Sequence, residues 1–588
     1  MLEIINTLDK LTPTQFGVNA HMEYTWSTNI QEKIMQFSFQ CNRSNEKGVA
    51  VLKEKLKELL SQMNFTKPVV YYLEILYRMI GYTRDIVFGK GEYTLTYMMI
   101  DAWYDFYPDL AIHALTCLVK STDDTIQPYG SWKDMKYFCH YCINNGRTLF
   151  HPLIQHVIVL LNEQLKLDSI NLNMDKKNNI SLVSKWIPRE DSKFNWLYPM
   201  LATHYFIDFL KTAKTPMSRI KATIKCKTKY RQLLSTLNKH VDTIQIKQCD
   251  KKWGTIDFSK VTSITLNNQK KAFLNVRQNG TIKCPVDQDR MNCALNFQLY
   301  IESSIKNNDQ IKGQRIDMEM FTKTALDIIR RKQKHDNDLT IDKKSIQYEI
   351  ELLNSQWRNH SIQNTTLSNF IAMIDVSHSM FGTPIHVANA IGIRIAEKSK
   401  LGKRVMTFSN KPEWINLENC SDDFVSMTEK ICTNCGLNSN LYAALDLILN
   451  AIIDSKLTPA EVKDLVLVIL SDMQVNDVNE LNKNNKILYD TIQSKFNETG
   501  IRLYNKPFQV PHIVFWNLKN TSGFPCLSYQ HNTSMVSGYS PLLLNTFCEN
   551  GMKAITNLYT PWSCLEKILM NERYNIMGDK ITQINYTN

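Results

Sequence analysis

The sequence has no apolar stretch approaching the roughly 20 residues that a membrane-spanning helix requires. Its opening, MLEIINTLDKL, has no basic segment followed by an apolar one. These lacks set aside a membrane span and a secretory leader, and the expectation is a soluble, intracellular protein, cytoplasmic first and nuclear second. The 14 cysteines are spread over 588 residues without the dense spacing of a disulfide-stapled secreted scaffold, so reduced thiols are expected. Two C-x-x-C pairs, Cys139/Cys142 and Cys432/Cys435, have the spacing of zinc ligands. The first falls in a helical pattern and the second in a distant loop, which favours buried and loop thiols over a shared ion. No repeat of fixed period supports a regular array such as the tetratricopeptide. The Gly89–Glu92 tetrapeptide GKGE lacks the G-x-x-x-x-G-K-[ST] spacing and follows a helical pattern. It reads as a turn between helices, with Arg84 and Asp85 pairing locally. Missing too is any nucleophile with its base and orienting group, or a base placed beside a metal-activated water. The protein is therefore not expected to be an enzyme, and a metal-dependent hydrolase or nuclease is the weakest reading.

What is present begins with enough apolar residues, 43% of the chain, to fill more than one core. The net charge of +12 is unevenly divided: residues 1–368 carry 50 Lys and Arg against 37 Asp and Glu, and the remainder 19 against 20. Such asymmetry suits an N-terminal part that meets a polyanion, or a lysine-rich solvated surface. The densest stretch, KTAKTPMSRIKATIKCKTKYR, contains Lys211, Lys214, Arg219, Lys221, Lys225, Lys227, Lys229 and Arg231 and no acidic residue. Cations so placed gain affinity by releasing counterions from phosphates, and Tyr230 among them would stack on an unpaired base. An exposed basic loop between helices has the same composition.

Residues from about 49 to 360 show apolar positions at i, i+3 and i+4 with short polar, Pro or Gly breaks, as in VAVLKEKLKELLSQM and HPLIQHVIVLLNEQLKL; this is an array of amphipathic helices. After the charged helix DKKSIQYEIELLNSQWRNH, short apolar runs (FIAMID, KRVMTFS, DLVLVILSD, PHIVFWN) alternate with helical stretches starting at Pro384, near Leu441 and near Leu481. That alternation predicts a parallel sheet covered on both faces. The expected fold class is thus multidomain: an all-α helical-repeat domain over 1–368 ending in the charged helix, then an α/β doubly wound, Rossmann-like domain over 369–588. Ligands of such sheets bind at the carboxyl ends of the strands, where Asp375 falls.

In DVSHS the alternation turns Asp375, Ser377 and Ser379 towards one place above the sheet edge. Ser439 stands at the entrance to the next helix and Asp472 ends the apolar strand DLVLVILSD. Hydroxyls and carboxylates are the donors a hard cation, Mg²⁺ or Mn²⁺, takes while keeping part of its water. The order Asp-x-Ser-x-Ser, hydroxyl loop, strand-terminal Asp resembles the metal-ion-dependent adhesion site of von Willebrand factor A domains. Ser439 stands where that family usually has Thr, and His378, a solvent-facing loop residue or an added contact, where a small residue is common. The resemblance implies a cation that acts as a bridge, its open position filled by a carboxylate from a protein partner.

Three further stretches, TRDIVFGKGEYTLTYMM (Thr83–Met99), YGSWKDMKYFC (Tyr129–Cys139) and KWIPRE (Lys185–Glu190), together with SDMQ, VFWNLK and SGYSPLL, resemble a domain-of-unknown-function family. That family pairs a TROVE-like, HEAT-like helical domain with a C-terminal A domain and is similar to the Ro ribonucleoprotein autoantigens. The resemblance spans about residues 50–550 and implies RNA binding, structured or single-stranded, through the basic helical domain. The alternative is a scaffold that grips an acidic protein partner through the A-domain metal, without RNA. Trp132 and Trp186 read as aromatics packing between helices. No membrane contact is expected, and the chain is expected to be a monomer.

Overall fold

The computed structural model describes residues 13–17, 21–63, 69–121, 126–278, 280–307, 309–335, 343–409, 411–420, 422–432, 440–474, 487–521, 523–547 and 559–587. After a short antiparallel ribbon of β1 (Thr14–Phe16) and β2 (Met22–Tyr24), the chain is helical as far as Ser361. The helix Glu46–Ser61 illustrates the rule: the Asn45 side chain caps it by accepting from Gly48 N, and Val49, Leu52, Leu56, Leu59 and Leu60 form its buried stripe.

The charged helix Lys343–Ser361 joins this helical region to the α/β part through its apolar face. Its Trp357 ring stacks 4.0 Å from Phe424 and lies 3.9 Å from the Arg394 guanidinium, and its indole N–H donates to Glu397 Oε1 at 2.8 Å.

Six strands follow: β3 (Asn369–Asp375), β4 (Arg404–Phe408), β5 (Glu413–Asn416), β6 (Leu465–Ser471), β7 (His512–Asn517) and β8 (Thr533–Ser537). Their spatial order is β5-β4-β3-β6-β7-β8. All neighbours are parallel except β4 and the edge strand β5. All seven residues of β6 are buried, as expected of a parallel strand covered on both faces. The chain leaves β3 towards β4 on one side and later returns as β6 on the other, so the order reverses at β3. Its carboxyl end, Asp375, lies at the crevice this reversal opens. The sequence patterns place β3, β4, β6 and β7; they give no sign of β5 or β8.

Two long returns tie the parts together. Helix Ile30–Gln40 ends on the sheet, where Asn517 Nδ2 donates to Phe39 O and Asn42 Nδ2 to Asn517 O, both at 2.9 Å. Lys90, within GKGE, is buried and donates to Ser38 O (3.0 Å), Cys41 O (2.9 Å) and Ser537 Oγ (2.6 Å). The helices Pro561–Leu569 and Asn575–Thr587 run back onto helix Val69–Arg84. Arg84 and Asp85 do not pair with each other: Arg84 Nη2 donates to Asp134 Oδ2 and Arg573 Nη2 to Asp85 Oδ1, both at 2.7 Å. Consecutive helical residues point about 100° apart, so each finds a partner on a different neighbour.

One apolar core runs from the first helices through the sheet to the last helix, and a second, smaller one gathers around Phe258, Phe273 and Phe297. Every described cysteine is unbridged, with Cys139 and Cys142 buried in helix Trp132–Asn144; Cys435 lies outside the described residues. Among the described residues no helix is long and apolar enough to cross a membrane.

Candidate metal centre at the sheet edge

The centre grows out of the two most apolar strands. β3 and β6 lie side by side in parallel register, Ile374 opposite Leu470, so their polar continuations emerge together at the carboxyl edge. Asp375 is fully buried. Its Oδ1 accepts from Ser377 N at 3.0 Å and its Oδ2 from the Ser471 hydroxyl at 2.6 Å. The first of these bonds turns the loop so that the Ser377 and Ser379 hydroxyls lie 3.0 Å apart. Asp472 is also buried; its Oδ1 accepts from Gln474 N at 3.2 Å, and its Oδ2 takes no hydrogen bond.

Burial pushes the Asp375 carboxyl up to about 6, and the neighbouring Asp472 charge adds to the shift. Asp472 is raised as well, chiefly by burial, with the Gln474 amide and the Ser379 hydroxyl pulling the other way. Two buried carboxylates thus repel each other where little solvent screens them. Among the described residues a cation stands close by, Lys519 from the loop after β7: its ammonium donates to Ser379 O at 2.7 Å and stands 3.8 Å from Asp472 Oδ2. Lys519 and Ser471 were not legible as site residues. Ser471 carried a local signal, being adjacent to Asp472 at the end of the same strand, whereas Lys519 is brought in only by tertiary packing.

The structure brings Asp375, Ser377, Ser379 and Asp472 to one edge of the sheet. Ser439 lies outside the described residues; Asn440, which follows it, caps helix Leu441–Asp454 and donates from its backbone to Ser409 O at the end of β4. His378 is exposed, its ring 5.7 Å from Phe381, which is itself 72% exposed on the rim of the centre. Among the described residues no three His, Cys, Asp or Glu side chains gather as a metal-binding group. The donors here are two carboxylates with hydroxyls, the choice of a hard cation that keeps several waters. A buried carboxylate oxygen without a hydrogen bond is an open acceptor, and it fits such an ion.

Two family models match the chain. Residues 147–363 match a domain of unknown function (DUF2828) and residues 369–570 another (DUF7788). The chain is also 27% identical to the "Uncharacterized protein L728" of Acanthamoeba polyphaga mimivirus, over 83% of this chain and 79% of that protein. The whole candidate centre lies inside the DUF7788 match, and the basic stretch inside the DUF2828 match.

That basic stretch is not a loop: from Pro216 it forms the helix Pro216–Val241. Lys211, Lys214, Arg219, Lys221, Lys225, Lys229 and Arg231 are exposed. Lys227 is half-buried and pairs with Glu190 at 3.3 Å, and Lys211 pairs with Asp208 at 2.9 Å. Tyr230 corrects the expectation of base stacking. It is fully buried and donates to Asn162 Oδ1 at 3.0 Å, because Ala222, Cys226, Tyr230, Leu234 and Leu237 form the inward stripe of this helix.

Proposed function

We propose that the protein is a non-enzymatic binding protein: an α/β part of the von Willebrand factor A kind that recognises a partner through a divalent cation, carried on a TROVE-like, HEAT-like helical array that binds RNA. The observation that carries this reading is the pair of buried carboxylates, Asp375 and Asp472, whose mutual repulsion and open acceptor oxygen stand beside the hydroxyls of Ser377 and Ser379 at the switch point of the sheet. These four residues would hold Mg²⁺ or Mn²⁺, with Ser439 as the remaining donor. When bound, the ion supplies a coordination position for a carboxylate from a protein partner. The chain's own residues do the rest: Asp375 and Asp472 anchor, the Ser377 amide fixes the loop, and Lys519 sets the local charge. RNA binding by the helical array is supported by the basic excess in residues 1–368 and by the exposed cations of helix Pro216–Val241.

Calorimetry with Mn²⁺ tests the reading. Weak binding is expected for the wild type and none for Asp375→Ala, with the fold retained because apolar strands hold it. Equal Mn²⁺ affinity in the two proteins would overturn it. One observation favours the scaffold reading without RNA: the exposed Phe381 ring beside the centre suits the apolar part of a protein partner. Purified protein that carries no nucleic acid before a high-salt wash, and binds none at low salt, would decide for it.

A further inference from the structure

A second cluster of charge lies away from the sheet. Helix Trp132–Asn144, the segment 184–191 and helix Pro216–Val241 wall a groove of 560 Å³, within the size range of ligand sites. Its cations are Lys136, Lys185, Arg189, Arg231 and Lys239, and its carboxylates Glu190, Asp191 and Asp250. Glu190 is engaged by Lys227.

At one end of the groove Trp186 is half-buried and belongs to neither apolar core, contrary to its reading as a packing aromatic. Three ammonium groups surround its ring, Lys136 at 5.0 Å, Lys185 at 5.5 Å and Lys133 at 5.9 Å. The Tyr137 ring next to it carries Lys193 at 5.2 Å and Lys133 at 5.3 Å, and Phe194 carries Lys193 at 4.9 Å and Lys136 at 5.4 Å. Among the described residues none of these four lysines makes an ion pair. Burial, with Lys133, Lys193 and Arg189 nearby, pushes Lys136 down to about 8. Ring faces attract each ammonium but cannot cancel the repulsion between them, so the folded chain holds an excess of positive charge beside aromatic surface, with five cations against three carboxylates along the groove itself.

We propose that this groove is a seat for single-stranded nucleic acid, in which Lys136 and Lys185 of its wall, with Lys133 and Lys193 around the adjoining rings, gather backbone phosphates and Trp186 offers its face to a base. The inference rests on the RNA reading above and gives it a place. Several cations running on to Arg231 and Lys239 exceed what one phosphate neutralises, which selects a polyanionic strand over a single small anion. Aromatic rings interleaved with lysines add the π-surface on which unpaired bases stack.

The test uses the full chain and a fluorescein-labelled ten-nucleotide oligouridylate at low salt. Substituting Gln for Lys133, Lys136 and Lys193 together is expected to weaken binding at least tenfold and to flatten the slope of log K against log salt by about 2 units, at ~0.7 per neutralised phosphate. Trp186→Leu is expected to weaken it about tenfold with the slope unchanged. The pair Lys133→Gln/Lys193→Gln, both exposed, repeats the test without touching the half-buried Lys136. A control with Gln at Lys221, Lys225 and Lys229 separates the two readings. If that control loses binding while the groove variants bind like wild type, RNA binding stands and this seat is overturned. If the wild type binds no oligouridylate, both fall. If polyglutamate displaces the oligonucleotide at equal charge and Trp186→Leu has no effect, the groove takes an acidic protein and the proposal is overturned.

Discussion

Asp375 carries a protonation state that the fold, not the side chain, selects. Its folded value of about 6 lies above the ordinary 3.8, so the native state holds this proton more tightly than the unfolded chain. The contribution to stability is therefore best below about pH 4, declines as pH rises through 6, and is level above that; the full loss is roughly 3 kcal/mol. In cation-free buffer, melting temperature should fall between pH 4 and 6 more steeply for the wild type than for Asp375→Asn, and Mn²⁺ should restore part of the loss above pH 6 but little at pH 4.5. Lys519 supplies a testable counterpart, since its ammonium stands 3.8 Å from Asp472 Oδ2 and competes with any cation there. Lys519→Met should tighten Mn²⁺ binding about two- to fivefold by calorimetry, the span of a partly exposed ion pair; unchanged affinity would remove Lys519 from the centre. The meeting of Asp375, Ser377, Ser379 and Asp472 at one edge was legible because strand alternation and strand ends are local signals. Lys519 was not, because the loop after β7 reaches Ser379 across 140 residues of sequence.

Among elements, helix Pro216–Val241 shows how composition can mislead where period does not. The buried residues Ala222, Cys226, Tyr230 and Leu234 recur every fourth position, a spacing present in the sequence that assigns Tyr230 to the inward face. Reading the stretch by its charge made Tyr230 accessible; reading it by its period buries it. Tyr230→Ala should cost roughly 3 kcal/mol or more in urea unfolding, from the lost ring and the acceptor left on Asn162, whereas Tyr230→Phe should cost about 1 kcal/mol. The strand-and-helix alternation after Asn369 was legible for the same reason that β6 is wholly buried: a parallel strand must be apolar throughout. Strand β8, TSMVS, has little apolar signal, and its burial comes from helix Ile30–Gln40 and helix Pro561–Leu569 packing over it.

For the whole molecule, the contacts that fix the arrangement join residues far apart in sequence, and no local pattern reports them. Lys90 is the clearest case. Its three hydrogen bonds join the turn after helix Val69–Arg84 to the end of helix Ile30–Gln40 and to β8, and burial pushes its ammonium down to about 8. Lys90→Met should destabilise by at least about 2 kcal/mol, because carbonyls at Ser38 and Cys41 lose a donor they cannot replace with water. Denaturant unfolding followed by far-ultraviolet circular dichroism and by tryptophan fluorescence would measure this, and the two probes should shift together.

The return of the last helices onto Val69–Arg84 also sets a schedule. During synthesis helix Val69–Arg84 emerges with Asp85 at its end lacking the Arg573 that pairs with it, and nearly five hundred residues must follow. At ordinary translation speed that interval is roughly half a minute to a minute and a half. Throughout it the face of that helix that Pro561–Leu569 and Asn575–Thr587 will cover stays open to chaperones, to other nascent chains on the same message, or to a partner that arrives before the chain is finished.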